Sequence, residues 1–202
     1  MFDSKSITSE NELDFLDLSQ FLKELIYIIS SRYQSFSHIQ TDNILVTMAT
    51  NRKNSRRSMT FGKCVPLKFE EGRSTKTYRG RKIAIPTVII DEINILYLIV
   101  FYKPKFFDLP LEQKIKVIFH ELYHVSPQFN GDIRRFGKRK AAHGASREKY
   151  DSLFQEEMND FIHFIKQTKY AKILNLNYKQ IHKKFGSVKY LRMKIPKPYY
   201  VK

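Results

Sequence analysis

The sequence predicts an α+β domain, a small sheet with packed helices, in which one short helix presents a pair of histidines. Three observations predict it. Apolar runs of strand length, rich in β-formers, fill the middle of the chain; stripes at helical spacing flank them; and His120-Glu121-Leu122-Tyr123-His124 sits late in a well-delimited amphipathic run. The 202 residues, 42% of them hydrophobic, suffice for one good-sized core. Composition marks off a polar N-terminal stretch over 1–17, the domain over 18–168 and a basic, aromatic C-terminal appendage over 169–202.

The opening stretch, acidic up to Asp17, predicts a loosely docked segment. Leu18, Phe21, Leu22, Leu25, Ile28, Ile29 and Tyr33 then recur at helical spacing, and Asp17 or Ser19 can cap that helix. Ile44 to Met48 has strand composition, and the basic segment from Asn51 to Ser58 reads as a loop. A second strand is expected from Phe61 to Phe69, with Pro66 pointing to a sheet edge or a bulge. After a polar loop from Glu70 to Gly80, two strands are expected at Lys82 to Ile90 and Ile93 to Tyr102, joined by Asp91-Glu92. The first contains Pro86 and suits an edge; the second is apolar on both faces and suits a buried position.

The histidine helix is expected over the run from Leu111 to Ser126. Pro110 fits a first turn, Asp108 precedes it, and Glu112 complements the helix N-terminus. Pro127 biases Ser126 out of helical geometry, so the helix should end about one turn after His124. At about 100° per residue, His120 and His124 share a face, opposite Ile118, Leu122 and Val125, so the imidazoles should point away from the core. Imidazoles at i and i+4 can hold one Zn²⁺, and the intervening Glu121 can take a proton from a water on it. A catalytic zinc site needs a third protein ligand. His143 is the leading candidate, 19 residues after His124 and beyond the basic loop from Asn130 to Lys140; Asp132 and Glu148 are its rivals. Pro127 and Asn130 stand where HExxHxxGxxH would need Gly and His, so that pattern is absent.

Ser146 to Thr168 reads as a further long helix, with Tyr150, Phe154, Met158, Phe161, Ile162 and Ile165 on one face. Its polar face carries Glu148, Asp151, Glu156, Glu157 and Asp160, one of which is expected to hydrogen-bond a liganding imidazole.

These residues carry a family resemblance. The apolar strand from Ile95 to Tyr102, the start Leu109-Pro110-Leu111-Glu112, the run from His120 to Pro127 and the following Gly131-Asp132-Ile133-Arg134 resemble zincin-type metallopeptidases of phages and archaea. His143-Gly144 is more distantly similar to the pair that carries the third zinc ligand in SprT-like proteases. The resemblance spans Ile83 to Phe164 and implies a zincin-like metallopeptidase domain with an HExxH active-site helix. The zinc ribbon common in SprT-like proteins needs paired cysteines, and this chain has only Cys64.

That lone cysteine excludes an intramolecular disulfide and a cysteine-based metal site. Without a signal-peptide pattern or an apolar run long enough to span a bilayer, no membrane partner is expected and a cytoplasmic location is. The net charge of +16 attracts polyanions, and it is uneven: no Asp or Glu follows Asp160, whereas eleven Lys or Arg do. Lys138, Arg139 and Lys140, between His124 and His143, are candidate polyanion contacts that would draw acidic or nucleic-acid-bound substrates.

The expected activity is therefore zinc-dependent hydrolysis of peptide bonds in a peptide or protein, with Glu121 as general base. Tyr150, Arg134 and Arg135 are the candidate oxyanion donors. The alternative is a basic nucleic-acid-binding or structural protein whose zinc site is not catalytic.

Overall fold

The computed structural model describes residues 15–50, 60–137 and 146–201. In chain order its elements are β1 (Phe15–Asp17), α1 (Leu18–Arg32), β2 (Ile44–Thr50), β3 (Gly62–Pro66), β4 (Thr75–Tyr78), β5 (Arg81–Ala84), β6 (Val88–Ile90), β7 (Ile93–Ile95) and β8 (Tyr97–Lys103). They continue with α2 (Leu111–Tyr123), α3 (Arg147–Ser152), α4 (Gln155–Lys166), α5 (Tyr170–Leu174), α6 (Tyr178–Lys184), β9 (Ser187–Lys189) and β10 (Tyr199–Tyr200). The fold is thus mixed α+β, with small sheets and several helices.

β8 lies at the centre of the main sheet because it is apolar on both faces. It pairs in parallel with β2 and antiparallel with β3, giving the order β2-β8-β3. Tyr97, Ile99 and Phe101 join Ile44, Val46 and Met48 of β2 in the main core, where α1 and α2 also pack. Leu98 and Val100, on the other face, meet Val65, Leu67, Val88 and Ile95 in a second cluster. Pro66 ends β3, an edge strand as its missing N–H requires.

α1 forms where its stripe predicts. The Asp17 carboxylate caps it by accepting from the N–H groups of Ser19 and Gln20. Leu18, Phe21, Leu22, Leu25, Ile26 and Ile29 are buried, each removal from water stabilising by about 1.5–3 kcal/mol.

Four expectations change. The loop expected over 70–80 contains β4, and the Arg79-Gly80 turn (φ 51° and 75°) folds it back on β5 as a hairpin. That hairpin stands largely in solvent, so it carries no apolar alternation to reveal it. The strand expected over 82–90 breaks between β5 and β6 around Pro86. The strand expected over 93–102 is interrupted at Leu96, whose N–H and carbonyl are taken by Asn43 and Leu67. The single helix expected over 146–168 is two, α3 and α4, because the chain bends at Phe154 (φ −127°, ψ 13°).

The segment from residue 169 onward enters the core. Ala171, Leu174, Ile181 and Phe185 are buried in the same cluster as α1 and α2, and β9 pairs in parallel with β1. Lys114 of α2, 1% exposed, is buried under this segment, its ammonium donating to the carbonyls of Leu174 and Leu176 at 2.7 Å each. Replacing Lys114 with Met keeps the volume but strands both carbonyls. A loss of about 2 kcal/mol or more is expected, read as a lower denaturation midpoint; an unchanged midpoint would mean that the two bonds contribute nothing.

Candidate active site

α2 brings His120 and Glu121 into its last turn, and His124 is its C-cap residue. The helix ends a turn earlier than Pro127 alone predicts. Val125 leaves it to pair with Ile133 in an isolated antiparallel bridge, and the Arg134 N–H takes the His124 carbonyl at 2.7 Å. The strand-like return of 133–134 therefore competes with, and replaces, the last helical turn.

The imidazoles, expected to point away from the core, are nevertheless shielded from solvent. His120 and His124 are only 4% and 6% exposed, with ring centroids 4.9 Å apart. α3 covers them. Its N-cap Ser146 accepts from the Lys149 N–H, which starts the helix so that consecutive residues meet the two rings. Asp151 Oδ1 lies 2.7 Å from His120 Nδ1, and the Tyr150 hydroxyl lies 2.9 Å from His124 Nδ1. Asp151 is the carboxylate that the polar face of 146–168 was expected to supply.

The surroundings shift both partners of the imidazoles. Burial raises the Asp151 carboxyl, but hydrogen bonds from His120 and Lys116 outweigh it and keep it below the usual carboxylate range. The Lys116 ammonium sits 3.1 Å from Asp151 Oδ2. Burial pushes the Tyr150 phenol well above its usual range, so it stays a neutral hydroxyl. Rings of Tyr123, Phe136 and Phe154 pack around it at 5.2, 5.6 and 6.2 Å.

Glu121, 7% exposed, is held from the sheet side. The Cys64 N–H of β3 donates to its Oε2 at 2.8 Å. α2 approaches β3 this closely because residue 62 is glycine: a Cβ there would stand 2.8 Å from Glu121 Cγ and 2.9 Å from Val117 Cγ1. Burial, and next the Glu121 carboxylate, push the Cys64 thiol far up, so it is no nucleophile. Gly62 and the Cys64 N–H were invisible to sequence reasoning; only a glycine heading an expected strand could have hinted at a close backbone approach.

Beside this group opens a cleft of about 300 Å³. Phe61, Leu109 and Val117 form its apolar wall, and Gln113, Lys116, Glu148 and Asp151 its polar one. Glu148 is therefore at the cleft. Asp132 is engaged elsewhere, accepting from Arg135 at 2.9 and 3.0 Å and from the N–H groups of Ile133 and Glu71. Among the described residues, no group of three His, Cys, Asp or Glu side chains is arranged to hold a metal ion. His143, Lys138, Arg139 and Lys140 lie outside the described residues. Arg134 donates through Nε to the Tyr123 carbonyl and lies 4.0 Å from that ring's centroid, while Arg135 pairs with Asp132 and Glu70.

Residues 15–189 match the model of a family described as "Putative phage metallopeptidase". The chain belongs to this family. No curated protein and no solved structure matches it. The matched span opens on the first residue of β1 and closes on the last of β9, so the family unit includes α5 and α6 and excludes β10. Membership implies a metal-dependent peptidase acting on protein or peptide, and α+β architecture is compatible with that. No helix among the described residues is long and apolar enough to cross a membrane.

Because Gly62 alone permits the approach of β3 to Glu121, Gly62→Ala should displace the carboxylate by a few tenths of an ångström or more. A metallopeptidase altered in this way is expected to lose about tenfold or more in kcat with its metal content intact. Unchanged kcat would show that Glu121 needs no such placement.

Proposed function

We propose that this metallopeptidase is a zincin-like enzyme that hydrolyses peptide bonds with one Zn²⁺ held by His120, His124 and His143, and with Glu121 as general base. The observation that supports the reading is the paired anchoring of the imidazoles: Nδ1 of His120 on Asp151 and Nδ1 of His124 on Tyr150, with the buried Glu121 carboxylate on the same helical turn. The donor set fits a divalent metal, since an imidazole whose Nδ1–H donates to an acceptor coordinates through Nε2. His143 remains the proposed third ligand on sequence grounds, with Glu148 the rival nearest the site.

His120, His124 and His143 would hold the zinc ion, which would supply Lewis acidity toward the scissile carbonyl and the attacking water. Glu121 then takes the proton of the attacking water and delivers it to the departing amine. The Cys64 N–H holds one carboxylate oxygen and so fixes the rotation of the group between the two transfers. Asp151 and Tyr150 act through the imidazoles as positioning residues: the carboxylate fixes the tautomer of His120, and both contacts fix ring orientation. The Lys116 ammonium balances the Asp151 charge. The cleft of Phe61, Leu109 and Val117 would receive an apolar part of the substrate.

The test is metal analysis of chain purified without chelators. About one zinc per chain is expected; less than about 0.2 per chain, with no gain on titration, would overturn the reading.

A further inference from the structure

A second surface, built from β4, β5 and β10, has no part in this chemistry. The three strands form one antiparallel sheet in the order β10-β5-β4. Tyr78 stands opposite Arg81, Lys76 opposite Ile83, and Tyr200 opposite Ile83. Paired residues and those two apart share a face, so Tyr78, Arg81, Lys76 and Tyr200 lie together on one side. Tyr78 is 45% exposed and Tyr200 54%, with Lys76 and Arg81 also exposed. The Arg81 guanidinium is 5.5 Å from the Tyr200 ring centroid, and that of Arg79, in the hairpin turn, is 5.3 Å from Tyr78's.

No Asp or Glu occurs between Ser74 and Ile90, or anywhere after Asp160, so these strands carry cations without carboxylates of their own. Two solvent-facing tyrosines on a cationic sheet match one ligand chemistry: flat π faces joined by phosphates. From the strand spacing, the Cα atoms of Tyr78 and Tyr200 stand roughly 12 Å apart, far enough for the two residues to take different bases. A duplex keeps its bases stacked internally and offers them to neither ring. An acidic peptide would satisfy the cations but leave the tyrosines unused.

We propose that the face of Tyr78, Arg81, Lys76 and Tyr200 binds single-stranded nucleic acid, with bases stacked on the tyrosines and phosphates held by Lys76, Arg79 and Arg81. This surface is independent of the peptidase site. Anisotropy of a labelled oligothymidylate of about 15 nucleotides, titrated with the full chain, tests it.

The double variant Tyr78→Ala/Tyr200→Ala should bind about tenfold or more weakly, whereas Tyr78→Phe/Tyr200→Phe, which keeps both rings, should stay within about twofold. Replacing Lys76 with Gln, Arg79 with Asn and Arg81 with Gln should flatten the slope of log affinity against log salt by about two. Equal affinity in the alanine double variant would overturn the proposal. So would wild-type preference for a duplex of the same length, or for poly-glutamate. Zinc content should be unaffected by any of these variants, so the outcome is separable from that of the peptidase reading.

Discussion

Glu121→Gln is expected to abolish measurable peptide hydrolysis while leaving zinc content and thermal stability unchanged. The carboxylate is buried on the last turn of α2 and fixed by the Cys64 N–H. Gln is nearly isosteric, and its amide oxygen can accept the same bond, so the sheet-to-helix contact survives. What is lost is the ability to carry a proton. General-base catalysis contributes about 10²–10⁴-fold, and a loss in that range or beyond is expected in kcat. Retained activity would place the base elsewhere and reduce Glu121 to a structural contact. In a basic binding protein with a structural zinc site, the substitution would change nothing measurable.

The other large effect is on the metal. His124→Ala removes a proposed ligand, and zinc should no longer co-purify with the chain. Asp151→Asn removes only the charge that orients His120 and should weaken zinc binding by about 10–100-fold. The two values are ordered by the geometry: an imidazole holds the metal directly, whereas Asp151 acts across one 2.7 Å hydrogen bond. Competition with a chromophoric chelator reads both. Equal affinities in wild type and the His124 variant would contradict the ligand assignment outright.

The parts of the fold legible in sequence are those where burial and periodicity coincide. α1 announces itself by its stripe and its Asp17 cap, and β8 by apolarity on both faces. β4 did not, because a solvent-exposed hairpin needs no apolar alternation and its turn is made with Arg79 at positive φ. The break between α3 and α4 was hidden too: Tyr150, Phe154, Met158 and Phe161 keep one apolar face through the bend, and all four are buried.

At the proposed site, spacing alone places His120, Glu121 and His124 within one helical turn, and the end of α2 carries them together. Helical geometry alone could not say that the rings would be roofed by Tyr150 and Asp151, because that depends on where a separate helix docks. The Tyr150 hydroxyl, expected from sequence as an oxyanion donor, lies against His124 Nδ1. Gly62 and the Cys64 N–H come from a strand about sixty residues away, and no local pattern could connect them with Glu121. The region after residue 168 looked peripheral because its charge dominates its composition. Yet its few apolar residues, Ala171, Leu174, Ile181 and Phe185, sit at spacings that dock α5 and α6 into the core.

The most direct test is to incubate the zinc-loaded chain with a mixture of denatured proteins and record new amino termini by mass spectrometry. A zinc peptidase with Glu121 as its base should give new termini that accumulate with time, disappear after chelation, return on adding zinc and never form with Glu121→Gln. A chain that binds zinc stoichiometrically, yet yields no new termini or yields them equally with Glu121→Gln, would contradict that assignment.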